Sequence, residues 1–293
     1  MKIVQGDELT PQRGLEHRGG TFHYTRLMHG EPATLGNFQL NIGMIGGDFY
    51  SPRHRHNFEQ IRYQLEGTLD FARTGKMTQG MLGYFPEGVA YGPQTQREGE
   101  SVKTLVLQCG GASGSGYLSR EEVKAGMEEL KKYGTFKDGV FHRNEGQPGK
   151  RNLDGYQAIW EFVNQRPMVY PKPRYASPIL LDPANYEWVS VAGQAGVAEK
   201  LLGVFTERRT EARFLKLDGG ARLQASGRGI YVVLQGAGTV EGQKLRRFTT
   251  IYPDAGEAAT VAASETTQIL HMGLPDLAGM QMGRAGVTAQ AAE

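Results

Sequence analysis

The 293-residue chain contains one cysteine, Cys109, so an intramolecular disulfide and any zinc site built from several cysteines are excluded. No run of about 18 apolar residues is present, so the sequence predicts no membrane-spanning helix. The 33 basic and 31 acidic residues are mixed along the chain, and no basic block indicates nucleic-acid binding. The amino-terminal segment lacks the apolar stretch of a secretion signal. We therefore expect a cytoplasmic protein that binds neither membranes nor nucleic acids.

Glycine, by contrast, is abundant, with 41 residues, where an average chain of this length would devote about 7% of its positions to glycine. Short runs rich in Val, Ile, Tyr and Phe lie between the glycines, which is typical of a turn-rich all-β protein. The clearest strand-like runs are residues 37–45, 61–72, 82–85 and 102–108.

The apolar period changes to that of helices between about residues 119 and 166. Ser119 and Glu122 have the spacing of a capping box, and an apolar stripe follows them. Asp154 and Gln157 open a second segment with apolar residues at i, i+3, i+4 and i+7. We predict two helices that serve as packing cover or as a spacer.

Strand-like runs resume after this region and repeat those that come before it. Residues 61–71 align with 230–240, residues 84–88 with 251–256, and residues 102–107 with 266–270. The repeat predicts two similar β-modules joined by a helical connector. The predicted boundaries are 1–112 for the first module, 113–174 for the connector, and 175–293 for the second module, whose tail beyond residue 277 we expect to be loosely held.

Two histidines, His54 and His56, lie at i and i+2 just before the second strand-like run. Side chains alternate between the two faces of a strand, so we expect these imidazoles to point the same way. Two imidazoles on one face can share a divalent cation.

Two spaced motifs resemble those of the cupins, a family of small jelly-roll barrels. The first consists of His54, His56, Gln60 and Gly67, and the second of Gly80, Pro86, Gly88 and Tyr91. Together with the repeat, they make the whole chain similar to a bicupin. The resemblance implies two jelly-roll β-barrels joined by the helical connector, with a metal-type motif in the first barrel only.

The chain departs from the usual cupin metal set of three histidines and one glutamate. The resemblance offers His54, His56, Gln60 and Tyr91 as the ligands of a divalent ion, and it does not distinguish Fe, Mn, Ni or Zn. The neutral Gln60 would leave the ion more of its positive charge than a glutamate would. Tyr91 would be either a phenolate ligand or a neutral acid/base beside the metal. The alternative is that Tyr91 closes a barrel that binds no metal.

If the inward face continues along the strand, Arg62 and Gln64 also point into the first barrel. A buried arginine is costly unless it meets an anion. We expect Arg62 to bind a carboxylate or enolate oxygen of the substrate, with Gln64 adding a hydrogen bond. The alternative is a structural ion pair of Arg62 with Glu66 or Asp70.

The second module has no comparable polar set, because apolar residues replace the two histidines. Leu223 and Ala225 occupy the aligned positions, so we expect a structural or dimerising copy and a plausible homodimer.

Two classes of function remain open. The first is a metal-dependent enzyme acting on a small oxygenated molecule that is anionic or aromatic. Among such enzymes the bicupin resemblance slightly favours dioxygenase-like oxidation over a Lewis-acid isomerase or lyase. The second class is a non-catalytic module that binds a small molecule.

Overall fold

The computed structural model describes residues 1–14, 20–96 and 99–281, and it has the predicted all-β architecture. His17 and the tail beyond Gln281 lie outside the described residues. The strands of the first module are β1 (Lys2–Gln5), β2 (Gln12–Arg13), β3 (Phe22–His29), β4 (Phe38–Ile45), β5 (Glu59–Glu66), β6 (Leu69–Asp70), β7 (Lys76–Met77), β8 (Leu82–Phe85) and β9 (Val102–Cys109).

The connector and the second module follow. The connector contains α1 (Arg120–Leu130), β10 (Gly134–Lys137), β11 (Val140–Arg143), β12 (Asn152–Asp154) and α2 (Gly155–Asn164). The later strands are β13 (Ile179–Leu181), β14 (Val189–Ser190), β15 (Val197–Val204), β16 (Glu211–Leu217), β17 (Arg222–Ser226), β18 (Gly229–Gln235), β19 (Gly238–Val240), β20 (Gln243–Leu245), β21 (Thr249–Tyr252), β22 (Ala258–Ala263) and β23 (Thr267–Gly273).

The internal repeat predicted from the sequence is reproduced in the strand order of the two large sheets. The first sheet has the order β13-β8-β5-β9-β4-β3-β2, and the second has the order β1-β21-β18-β23-β16-β15-β14. Strands β5, β8 and β9, which carry the aligned segments, correspond to β18, β21 and β23. Each module thus forms a jelly-roll unit, the first completed by the β6-β7 pair and the second by the β17-β22-β19-β20 sheet.

The two units exchange their edge strands. The amino-terminal β1 pairs with β21 of the second sheet, and β13, which follows the connector, pairs with β8 of the first. The predicted division near residues 112 and 174 stays a prediction, and backbone pairing crosses it in both directions.

The connector is not purely helical. Both predicted helices form: Ser119 caps α1 in a full capping box with Glu122, and the Asp154 side chain accepts from two backbone N–H groups of α2. Between them, however, β10, β11 and β12 form a small antiparallel sheet that the helical period did not reveal. The two helices pack against Phe58 and cover one end of the first barrel.

Because side chains alternate along each strand, the two faces of the first sheet have different surroundings. Ile61 on β5 and Leu107 on β9 face the second unit, where they share one apolar core with Val232 and Leu270. The even-numbered residues of β5, beginning with Gln60, face the interior of the first barrel. One face of the first sheet therefore packs against the second unit, and its other face lines the interior of the first barrel.

Candidate metal centre and its cavity

The two motif histidines lie before β5, not on it. His54 forms an isolated antiparallel bridge with Tyr91, in which each backbone N–H donates to the other's carbonyl at 3.1 and 2.9 Å. The prediction that both histidines project from one regular strand is therefore wrong. Pro52 lacks a backbone donor, so the segment cannot pair continuously at that position. The imidazoles nevertheless converge, with ring centroids 4.8 Å apart.

The tautomer of His54 is set by the backbone. Its Nδ1 lies 2.6 Å from the carbonyl oxygen of Pro52, and because a carbonyl only accepts, Nδ1 carries the proton. The neutral ring then presents an unprotonated Nε2, which lies 3.1 Å from Nε2 of His56. A histidine held in this way by its other nitrogen is the usual arrangement of a metal ligand.

Tyr91 connects the histidines to the polar wall of the barrel. Its hydroxyl oxygen lies 2.8 Å from His56 Nε2, and it accepts from Arg62 Nη2 at 2.8 Å and from Gln60 Nε2 at 3.4 Å. With two donors pointing at the oxygen, a neutral Tyr91 directs its own proton to His56 Nε2. The lone pair of His56 Nε2 then accepts this proton, so a cation bound between the two Nε2 atoms would have to replace the hydrogen bond from Tyr91.

The fit of a divalent metal to these residues is good at the histidines and poor at Gln60. Two nitrogens 3.1 Å apart can both lie about 2.1 Å from one ion, and the Tyr91 oxygen is a third donor within reach. Gln60 instead turns its amide nitrogen toward Tyr91, while its oxygen accepts from Arg62 Nε at 2.9 Å. Coordination by that oxygen would require this hydrogen bond to break. Within the described residues, no group of three or more His, Cys, Asp or Glu is placed to hold a metal.

Arg62 points into the barrel, as strand parity predicts, and it is buried. Its hydrogen bonds to Gln60, Tyr91 and Gln94 all end on neutral oxygens, the last at 2.9 Å from Nη1. The acidic partners that the sequence suggested are engaged elsewhere. Glu66 forms an ion pair with Lys103 at 3.0 Å, and Asp70 forms one with Lys76 at 2.8 Å.

Gln64 does not take the predicted place in the cavity. The side chain is fully buried, its Nε2 donates to the Glu66 carbonyl at 2.7 Å, and its oxygen accepts from Thr104 at 2.9 Å. A β-bulge lies between Gln64 and Glu66 in the pairing with β9. The amide is therefore used to hold this irregular pairing, and the proposed hydrogen bond to substrate is not supported.

The site opens into a cavity of about 180 Å³ inside the first barrel. Because a cavity of about 10–15 Å³ already holds one water, this volume suits a small molecule. Its lining combines histidine, arginine and neutral amides with apolar and aromatic side chains. The two charged lining residues are arginines, Arg62 and Arg120, and no aspartate or glutamate lines the cavity within the described part of the chain.

Several lining residues carry no motif in the sequence. Gln94 follows the second motif in a loop, Asn41 lies on β4, and Arg120 and Tyr156 come from α1 and α2 of the connector. The capping box located Arg120 at the start of a helix, but only the packing of that helix over the barrel brings its side chain into the cavity. The connector therefore contributes to the site as well as covering it.

Glu59, one residue before Gln60, faces the opposite way. Its carboxyl is fully buried near Tyr84, Thr210 and Glu87, on the side of the second unit. Burial, followed by the nearby charge of Glu87, raises the pKa of Glu59 to about 7. This carboxyl therefore does not act as the acidic metal ligand of the first motif.

The second barrel is packed where the first is polar. Leu223 and Ala225 lie in an apolar cluster together with Val233 and Val261. Tyr231 is also buried there, and its hydroxyl donates to the carbonyl of Ser226 at 2.8 Å. No group that resembles the His54 and His56 pair occupies these aligned positions.

Comparison with known proteins supports the fold. No protein-family model matches the chain, and no curated protein matches it. Among solved structures, a Nostoc punctiforme protein proposed to be a dioxygenase aligns over 96% of this chain and 85% of its own, with 10% identity and a TM-score of 0.61. Oxalate decarboxylase from Bacillus subtilis aligns over 94% of this chain and 76% of its own, with 14% identity and a TM-score of 0.52. Both are bicupins, and the present chain has the bicupin fold. Among the described residues, no helix is both long and apolar enough to span a bilayer.

Proposed function

We propose that this bicupin is a metal-dependent enzyme that transfers a proton on a small anionic substrate, as an isomerase or a lyase does. The observation that carries the proposal is the position of Tyr91, whose hydroxyl lies 2.8 Å from both His56 Nε2 and Arg62 Nη2. A hydroxyl between an imidazole and a guanidinium is placed for acid/base work. The surrounding cavity, with two arginines and no acidic lining residue in the described chain, favours an anion.

We propose His54 and His56 as the metal ligands, with Tyr91 as a third donor or as an acid/base next to the ion. When bound, a divalent metal at this position would polarise a carbonyl or carboxyl oxygen of the substrate. The Mn(II) centres named for Bacillus subtilis oxalate decarboxylase show that this fold can hold such an ion. The fold likeness does not choose among Fe, Mn, Ni and Zn for this chain.

The remaining steps belong to the side chains. Arg62, fixed by Gln60 and Gln94, orients an anionic oxygen and faces negative charge that develops on Tyr91. With His56 Nε2 engaged by the ion, the Tyr91 hydroxyl, 2.8 Å from Arg62 Nη2, is the group that would exchange a proton with the substrate. The aromatic rings of Phe58 and Tyr156, which pack together with His56, limit the access of water from the connector side.

The test is solvent deuterium incorporation. Protein loaded with Mn(II), Zn(II), Ni(II) or, without oxygen, Fe(II) is incubated in D₂O with pyruvate, 2-oxobutyrate or 2-oxoglutarate, and exchange beside the carbonyl is followed by proton NMR. We expect catalysed exchange that falls by about 10²-fold or more in Tyr91→Phe, while the metal content stays the same. Tyr63→Phe, on the opposite face of β5, is the control and should retain exchange.

Dioxygenase-like oxidation is the second candidate, favoured by the cupin resemblance of the motifs. Oxygen uptake that depends on metal and substrate, with no deuterium exchange, would replace the proton-transfer proposal with this one. Binding of the acids with neither exchange nor oxygen uptake would instead indicate the non-catalytic module. The homodimer and the cytoplasmic location stay predictions.

A further inference from the structure

Arg120, at the start of α1, is a charged residue of the cavity lining that has no role in the proposed proton transfer. Its Nη2 atom is shielded from solvent, and within residues 1–14, 20–96 and 99–281 this atom has no hydrogen-bond partner and Arg120 forms no ion pair. The guanidinium lies over the ring of Tyr24, 3.6 Å from its centroid. This cation–π contact offsets only part of the cost of desolvating the guanidinium.

The charges nearest to Arg120 do not neutralise it. The adjacent carboxylate of Glu121 is directed to Arg26, with which it forms an ion pair at 2.9 Å. Burial lowers the pKa of Arg120, and the nearby charge of Arg26 lowers it further, while Tyr24, Tyr117 and Glu121 act in the opposite direction. An anion supplied by a ligand would complete the hydrogen bonding of the guanidinium and compensate its charge.

Arg120 lines the cavity next to β3, three strands away from β5 in the first sheet. Tyr24, on which it lies, belongs to β3, whereas Arg62 belongs to β5, and strands β4 and β9 lie between them in the sheet. Three strand spacings of about 4.8 Å separate the two backbones by roughly 14 Å. The two guanidiniums thus line one cavity near strands that lie three positions apart in the sheet.

The wall between the two arginines is lined by neutral polar groups. Asn41 on β4, Val106 on β9 and Arg62 on β5 lie side by side across the sheet and form one row. The side-chain oxygen of Asn41 is buried without a hydrogen-bond partner in the described structure. Gln39 and Gln108 form the next row toward Gln60. This wall can accept hydrogen bonds from a polar ligand but brings no negative charge that would repel an anion.

We infer that Arg120 is a substrate-binding residue and that the ligand is a small acid with two anionic ends, one at Arg120 and the other at Arg62 and Tyr91. This inference rests on the proposed function for the location of the reacting end. Arg120 thereby determines the length and the charge of the molecules that fit. Substrate specificity then depends on a residue of α1, while the reacting groups belong to the first barrel.

The experiment compares each straight-chain dicarboxylate from malonate to adipate with its half-amide, which has nearly the same shape but one charge fewer. Affinities are measured by calorimetry at constant ionic strength. The wild-type protein is expected to bind the best-fitting dicarboxylate at least tenfold more tightly than its half-amide. Arg120→Gln is expected to lower the affinity for that dicarboxylate by at least tenfold and to reduce the preference to about twofold, because only one cationic end remains.

Three controls make the result decisive. Arg120→Lys keeps the charge and should retain part of the preference, and Arg143→Gln removes an arginine on β11 outside the cavity and should change nothing. Melting temperature and metal stoichiometry should be unchanged in Arg120→Gln, since the α1 cap is formed by Ser119 and Glu122. A wild-type protein with equal affinity for acid and half-amide, or an Arg120→Gln variant that keeps the preference, would overturn the inference. Failure of metal binding or of turnover would affect the proposed function and leave this affinity comparison valid.

Discussion

At the scale of single residues, buried hydrogen bonds determine which atoms of the site carry a proton and which present a lone pair. The Pro52 carbonyl fixes the His54 tautomer, and Arg62, which can only donate, fixes the orientation of the Gln60 amide. The sequence predicted these residue types together with Tyr91, because their spacing follows the cupin motifs. It could not predict that Gln60 would serve Arg62, since that depends on how three side chains pack.

Replacing Gln60 with glutamate separates the roles of metal ligand and anion site. We expect Gln60→Glu to tighten binding of Mn(II) or Zn(II) by about tenfold or more, because an acidic oxygen joins the two imidazoles. The same change should weaken binding of carboxylates, since the new charge pairs with Arg62.

Gln94→Glu is the matched control, because Gln94 also accepts from Arg62, whereas among the described residues its side chain forms no hydrogen bond with His54 or His56. It should weaken carboxylate binding while leaving metal affinity unchanged, and calorimetry measures both. Equal metal affinity in wild type and Gln60→Glu would show that residue 60 cannot reach the ion.

At the scale of elements, the local signals were the most reliable. The predicted strand at 82–85 coincides with β8, and the capping box places the start of α1 correctly. Two local structures differ from the prediction: the histidine segment is not a regular strand, and β10 to β12 were not predicted. Residues 54 and 56 alternate like a strand without pairing as one, and the three short strands lie inside a region whose helical period dominated the pattern.

The cap of α1 should support both stability and binding. Ser119→Ala removes the side-chain acceptor at the helix start, and we expect a loss of about 1 kcal/mol in the free energy of unfolding. Because Arg120 directly follows the cap, dicarboxylate affinity should also fall. Chemical denaturation and calorimetry measure the two effects, with the exposed Ser190→Ala as the control. Wild-type stability in Ser119→Ala would contradict the role assigned to the capping box.

At the scale of the whole molecule, two similar barrels have diverged in their interiors. One retains a polar cavity, the other is filled by apolar side chains, and a shared apolar core with exchanged edge strands joins them. The repeat in the sequence predicted the duplication and the apolar filling at Leu223 and Ala225. It could not show the exchange of β1 and β13, which depends on the three-dimensional closeness of segments distant in the chain.

Glu59, buried on the side of the first sheet that faces the second unit, makes the free energy of unfolding depend on pH. Its pKa of about 7 in the folded protein exceeds the ordinary value of 4.5, so the folded state holds a proton that the unfolded chain releases. The free energy of unfolding therefore falls as pH rises from about 4.5 to 7, by up to about 3 kcal/mol.

Glu59→Gln should remove most of this slope and stabilise the protein above pH 7. Denaturation at pH 5, 6, 7 and 8 measures it, with Glu31→Gln as an exposed control. A variant with the same pH profile as the wild type would show that Glu59 is not the titrating group.

The metal content of the purified protein tests the proposed metal centre at His54 and His56 most directly. Elemental analysis of protein purified without chelator or added metal should find about one divalent transition metal ion per chain. The ion should be lost in His54→Gln/His56→Gln and retained in a variant that replaces the distant His23 with glutamine. A wild-type protein that stays metal-free even after incubation with Mn(II), Fe(II), Ni(II) or Zn(II), or a double variant that binds as much metal as the wild type, would contradict the proposal.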